Sequence, residues 1–92
     1  MAYEINWSPD SKEDIRNIYE YLLDEWDDKV ADKFTDDVLG LTKQLTTMPF
    51  LGKKHPKMSS VRQLMIRPYN IVYYTVLDTS IYILNVIDGR KQ

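Results

Sequence analysis

The stretch from residue 61 to residue 87 constrains the fold of this 92-residue chain most. It holds three runs rich in β-branched and aromatic residues, Val61–Arg67, Ile71–Leu77 and Ser80–Ile87, a composition that suits the pleated, half-buried surface of a sheet. Only Pro68-Tyr69-Asn70 and Asp78-Thr79 separate them, and both are turn signals. The last two runs are nearly continuously apolar, which predicts a sheet covered on much of both faces. A further strand is expected at 2–7, where Tyr3, Ile5 and Trp7 alternate with Ala2, Glu4 and Asn6.

Two amphipathic helices are expected between the first strand and the last three. Ser8-Pro9-Asp10 is a helix start: the Ser8 hydroxyl accepts from a free N–H of the first turn, Pro9 suits the first helical position, and Asp10 favours the positive end of the dipole. Ile15, Ile18, Tyr19, Leu22, Leu23 and Trp26 then form one apolar face. A second helix is expected from about Lys29 to Thr46, with Val30, Phe34, Val38, Leu41, Leu45 and Met48 on its stripe. Asp27-Asp28 between the two patterns favours ending one helix and capping the next, so the pair should form a helical hairpin. Met48-Pro49 ends the second helix, and 49–60 is expected to be a basic loop. No repeat or low-complexity segment interrupts the order β-α-α-β-β-β.

A chain this short makes one domain, 1–92, and has no room for a large enclosed substrate pocket. Cys is absent, which excludes disulfides and thiolate metal sites and fits a reducing compartment. No apolar run approaches the roughly 18 residues of a membrane span and no basic-then-apolar leader opens the sequence, so a soluble, cytoplasmic protein without membrane contact is expected. The net charge of −2 hides a division. Residues 1–50 carry twelve acids and five bases, for −7, whereas residues 51–92 carry seven bases and two acids, for +5. An acidic partner or a polyanion should therefore prefer the second half. The acids of Asp24-Glu25-Trp26-Asp27-Asp28 lack the glycine and ligand spacing of a calcium loop and are expected to be solvated helix ends.

The opening strand closing on Trp7-Ser8-Pro9, the helical hairpin and Met48-Pro49-Phe50-Leu51-Gly52 resemble the RelE/ParE toxins of type II toxin–antitoxin systems. So do Val61-Arg62, Tyr69-Asn70-Ile71-Val72-Tyr73-Tyr74 and the closing Val86-Ile87-Asp88-Gly89-Arg90. The resemblance implies an α+β fold in which the hairpin packs on a small antiparallel-rich sheet, needing neither metal nor cofactor. It also implies a growth inhibitor neutralised by a cognate antitoxin that wraps it into a hetero-oligomer, often as a plasmid-stabilising pair. Two targets are possible: ParE-like members block DNA gyrase by binding, and RelE-like members cleave messenger RNA on the ribosome. A third possibility is an antitoxin-binding module whose toxicity has decayed.

Metal-free RNA cleavage needs a base for the 2′-hydroxyl, cations around the charged phosphorane and an acid for the leaving oxygen. The resemblance puts an Arg after the Tyr of the central hairpin and a His or Tyr near the C-terminus in members that cleave RNA. This sequence has Asn70 and Asp88 there. A carboxylate repels phosphate and has no proton to give at pH 7, and little tail follows it before Gln92. The candidates for an RNase are then Arg67, Asp88 and Arg90. Read instead as a binding protein, which is the favoured expectation, the chain offers Lys53, Lys54, His55, Lys57, Arg62, Arg67, Tyr69, Tyr74 and Arg90 to its target or antitoxin. Arg90 has Asp88 as an alternative partner. Tyr73 and Tyr74 must face opposite ways, one into the core and one out. His55, the single His, has no nearby carboxylate in sequence and is expected to be an exposed loop residue rather than a base.

Overall fold

The computed structural model describes residues 2–90; Lys91 and Gln92, part of the basic half and of the short tail, lie outside the described residues. The chain runs β1 (Glu4–Trp7), α1 (Pro9–Glu25), α2 (Asp28–Thr47), β2 (Lys53–Lys54), β3 (Val61–Ile66), β4 (Asn70–Leu77) and β5 (Ser80–Asp88). The expected order holds, with one short strand added. The five strands form one sheet in the order β1-β5-β4-β3-β2. β1 lies parallel to β5, and every other pairing is antiparallel.

Both helices start as their sequences dictate. The Ser8 hydroxyl accepts from the Ser11 N–H at 3.0 Å, with Pro9 at the first helical position, and the Asp27 carboxylate accepts from the Val30 N–H at 3.0 Å. Leu22, Ala31, Phe34, Val38 and Leu45 of the hairpin then meet Ile66, Val72, Tyr74, Ile81, Ile83 and Val86 of the sheet in one core. The ends of the expected stripes fall outside it: Trp26 is 65% exposed, and Val30 and Met48 are exposed too.

Two expectations fail. The sheet is packed by helices on one face only. On the other, Met65 and Tyr82 are exposed while Ile71, Tyr73 and Ile87 are half-buried. The apolar runs of β4 and β5 reflect β-propensity as much as double-sided burial. The basic loop also contains β2, in which Lys53 and Lys54 pair with Gln63 and Arg62. Two exposed lysines carry no periodicity, so only the backbone shows this strand: the His55 N–H donates to the Val61 carbonyl at 2.8 Å and closes the turn that follows.

A β-bulge ties the hairpin to the sheet. Tyr73 faces Asn85 and Tyr74 faces Ile83, which leaves Leu84 without a partner residue. The Ser8 hydroxyl donates to the freed Leu84 carbonyl at 2.8 Å, the Ser8 N–H donates to Ile83 O at 3.1 Å, and the Asp14 carboxylate accepts from the Val86 N–H at 2.9 Å. The cap of α1 is thus also its anchor on β5.

A second tie holds the loop after α2. The hydroxyl of Tyr74, a fully buried residue, accepts from the Gly52 N–H at 2.8 Å. A Cβ on residue 52 would lie 2.7 Å from that hydroxyl oxygen and 2.8 Å from the Gln63 carbonyl, so only glycine fits. Burial pushes the Tyr74 pKa up, against the opposing pull of the Gly52 N–H and Arg62. Gly52→Ala should therefore cost about 1–3 kcal/mol by overpacking, and Tyr74→Phe about 1–3 kcal/mol by stranding the N–H. The two should be strongly non-additive, because one contact is lost in both. Urea denaturation of both single variants and the double variant checks this, and simple additivity would contradict it.

Candidate functional site

The sequence candidates separate into two clusters at opposite ends of β3, roughly 15 Å apart along the strand. At the first end, β2 presents Lys53 and Lys54, both exposed, with exposed Lys57 in the following turn. Two other members of this basic group are held internally. Arg62 donates to Gly52 O at 2.7 Å and to Phe50 O at 3.3 Å, and its guanidinium carbon lies 5.1 Å from the centre of the Phe50 ring. His55 is half-buried rather than exposed. Its Nδ1 accepts from the Lys57 and Met58 N–H groups at 3.1 and 3.2 Å, and its ring lies 5.8 Å from that of Tyr73. This histidine shapes a turn. Tyr74, expected among the binding residues, is instead in the core with no exposed surface; its neighbour Tyr73 takes the other face.

At the second end, Tyr69, Asn70, Asp88 and Arg90 come together because Asn70 pairs with Asp88 across β4 and β5 and the Gly89 N–H donates to Tyr69 O at 2.7 Å. Arg90 then folds back. Its Nε and Nη2 donate to the two Asp88 carboxylate oxygens at 3.1 and 2.8 Å, and its guanidinium carbon lies 3.5 Å from the centre of the Tyr69 ring. The hydrogen bond with Asp88 raises the Arg90 pKa still further above its ordinary value, outweighing partial desolvation. Asn70 is buried, and its amide reaches Ile87 O only at 3.5 Å. Arg67 stands exposed in the turn beside them.

A groove of about 580 Å³ opens next to this cluster, between the tip of the helical hairpin and the β3–β4 turn. Leu22, Trp26, Val30, Phe34, Pro68 and Tyr69 make it mainly apolar, while Lys33, Asp37 and Arg67 add charge to the lining. Lys33 and Asp37 pair with each other at 3.0 Å. A wall of this kind suits apolar side chains of a protein segment better than a phosphate. Trp26 is the residue that periodicity misplaced. It closes the apolar stripe of α1, but it sits at the hairpin tip, past the sheet, flanked by four acids. A large aromatic at a helix end between charged residues was the available signal. Among the described residues, no group of three His, Asp or Glu side chains is placed to hold a metal ion.

Comparison with known proteins gives one family: the ParE toxin of the type II toxin–antitoxin system parDE, matched over residues 5–92. No curated protein sequence matches. Among solved structures, the chromosomal ParDE system of P. aeruginosa is similar with a TM-score of 0.79 at 20% identity, covering 95% of this chain and 96% of that one. The RelBE2 toxin–antitoxin complex of Mycobacterium tuberculosis has a TM-score of 0.65 at 15% identity, covering 96% and 99%. The YoeB dimer of Staphylococcus aureus has 0.67 at 22%, covering 92% and 94%. At these identities the three likenesses establish the fold.

The two kinds of basic residue should separate in solution. Lys53→Glu with Lys54→Glu should leave stability within about 0.5 kcal/mol, because β2 pairs through its backbone and both side chains are exposed. It should also lower retention on a polyanionic resin at low salt. His55→Ala should instead cost about 1–2 kcal/mol by uncapping two N–H groups. Equal stability losses in the two variants, or unchanged retention of the first, would contradict this division.

Proposed function

The chain belongs to the ParE family of type II toxins, and from that premise we propose that it acts by binding, as an inhibitor of DNA gyrase that a cognate antitoxin neutralises. One observation carries the choice of binding over RNA cleavage: the Arg90 guanidinium is bonded through two nitrogens to Asp88 and stacked on Tyr69. A cation so matched has little charge left for a phosphorane. Both Asp88 oxygens accept from that guanidinium, so neither is placed to serve a leaving oxygen. Asn70 beside it offers an amide dipole in place of a cation. Each missing group of this kind typically lowers a rate by about 10²–10⁴-fold.

The apolar groove at the hairpin tip fits the same reading, since protein partners are held by buried aromatic and aliphatic anchors rather than by charge alone. The antitoxin is proposed by analogy with the ParDE and RelBE2 systems, whose names include one. Growth inhibition in the cytoplasm, where gyrase works, follows from the same proposal. A ribosome-dependent ribonuclease is the second reading, and the exposed Lys53, Lys54 and Lys57 favour it.

The purified chain should block supercoiling of relaxed plasmid by DNA gyrase, or trap cleaved plasmid, at concentrations close to that of the enzyme. Arg90→Ala should change that inhibition far less than loss of a catalytic group would change a rate. Undiminished supercoiling in a large molar excess of the chain would contradict the proposal.

A further inference from the structure

We propose that the end of the sheet is a seat for a guanidinium group, filled in the isolated chain by its own Arg90 and able to exchange it for an arginine of a partner protein. The seat is assembled from three distant parts of the sequence: the Asp88 carboxylate at the end of β5, the Tyr69 ring in the turn before β4, and Tyr21 on α1, which lines the same cavity as Arg90. Two parallel bonds to a carboxylate over an aromatic face match the planar fork of a guanidinium. An ammonium would gain only a point charge there.

The receptor is built into the fold, whereas the occupant is not. Asp88 is fixed by its pairing with Asn70, the Tyr69 carbonyl is held by the Gly89 N–H at 2.7 Å, and α1 is anchored on the β-bulge. The side chain of Asp88 is only 18% exposed, but that of Arg90 is 52% exposed. Arg90 also lies two residues beyond Asp88, so its release opens a single turn and disturbs no core contact. Exchanging one guanidinium for another keeps both charge-assisted bonds at the Asp88 carboxylate.

The seat is also placed where a partner passes. A cavity of about 210 Å³ beside it shares Leu22, Tyr69 and Asn70 with the larger apolar groove. A peptide lying in that groove therefore runs within side-chain reach of Asp88. The partner this fits is a protein segment with apolar anchors and an arginine beyond them. The exchange is independent of which cellular target the toxin meets.

N-methylguanidinium is the direct probe, read by NMR from the ring resonances of Tyr69 and Tyr21. The Arg90→Ala chain should bind it saturably and at least about tenfold more tightly than the unaltered chain, where Arg90 competes through two charge-assisted bonds. In the unaltered chain, high probe concentrations should release the Arg90 side-chain N–H signal. Methylammonium should bind Arg90→Ala much more weakly, and adding Asp88→Asn should abolish binding. Arg90→Gln serves in the same way if the alanine variant folds poorly. No saturable shift in a folded variant, an equal response to methylammonium, or binding that survives Asp88→Asn would overturn the proposal.

Discussion

The anchoring of α1 on the bulge in β5 is the interaction on which the rest of the arrangement depends. One extra residue, Leu84, frees a carbonyl and an amide that the ladder would otherwise use. Ser8 takes the carbonyl and Asp14 takes the Val86 amide. A buried backbone group left without a partner costs about 1–3 kcal/mol, so these two residues fix where the helix can start and at what level it crosses the sheet. From that starting point, 17 residues of α1 carry the chain past the last row of strand pairs. The hairpin tip then overhangs the β3–β4 turn. The groove, the exposed Trp26 and the cavity that Tyr21 lines together with Arg90 follow from that overhang.

The same geometry sorts the charges. The sequence divides into an acidic half and a basic half, yet among the described residues the cations of the second half do not form one patch. Arg62 ties the loop after α2, His55 shapes a turn, and Arg90 is matched by Asp88. What remains for outside contacts at the β2 end is Lys53, Lys54 and Lys57, while Arg67 stands at the other end. Charge counted along a chain overstates what a partner meets, because guanidinium and imidazole groups are the side chains best suited to internal carbonyls, amides and carboxylates.

Much of the fold was legible in the sequence. Periodicity placed the four longer strands and both helices, and Ser8 and Asp27 marked the caps, because these signals are local. The turn at Asp78-Thr79 was legible too, with Asp78 at a φ of 55° in the left-handed region that Asp tolerates better than most residues. What escaped depends on pairing. β2 is two lysines whose backbone happens to meet β3, and the bulge at Leu84 leaves no mark in the hydrophobic pattern. Tyr73 and Tyr74 could be assigned opposite faces but not told apart, since which one faces the helices depends on register. At the site, the pairing of Arg90 with Asp88 was available from their spacing, but the stacking on Tyr69 and the exposure of Trp26 required the third dimension.

The proposal that this toxin, whose strand end matches its own cation, acts by binding rather than by cutting RNA has a direct test. Mapping transcript 5′ ends shortly after the chain is induced tests it most directly. An unaltered pattern inside translated codons is expected while DNA replication fails. Discrete cuts within those codons, abolished by Arg90→Ala, would contradict it and would make Arg90 a catalytic residue.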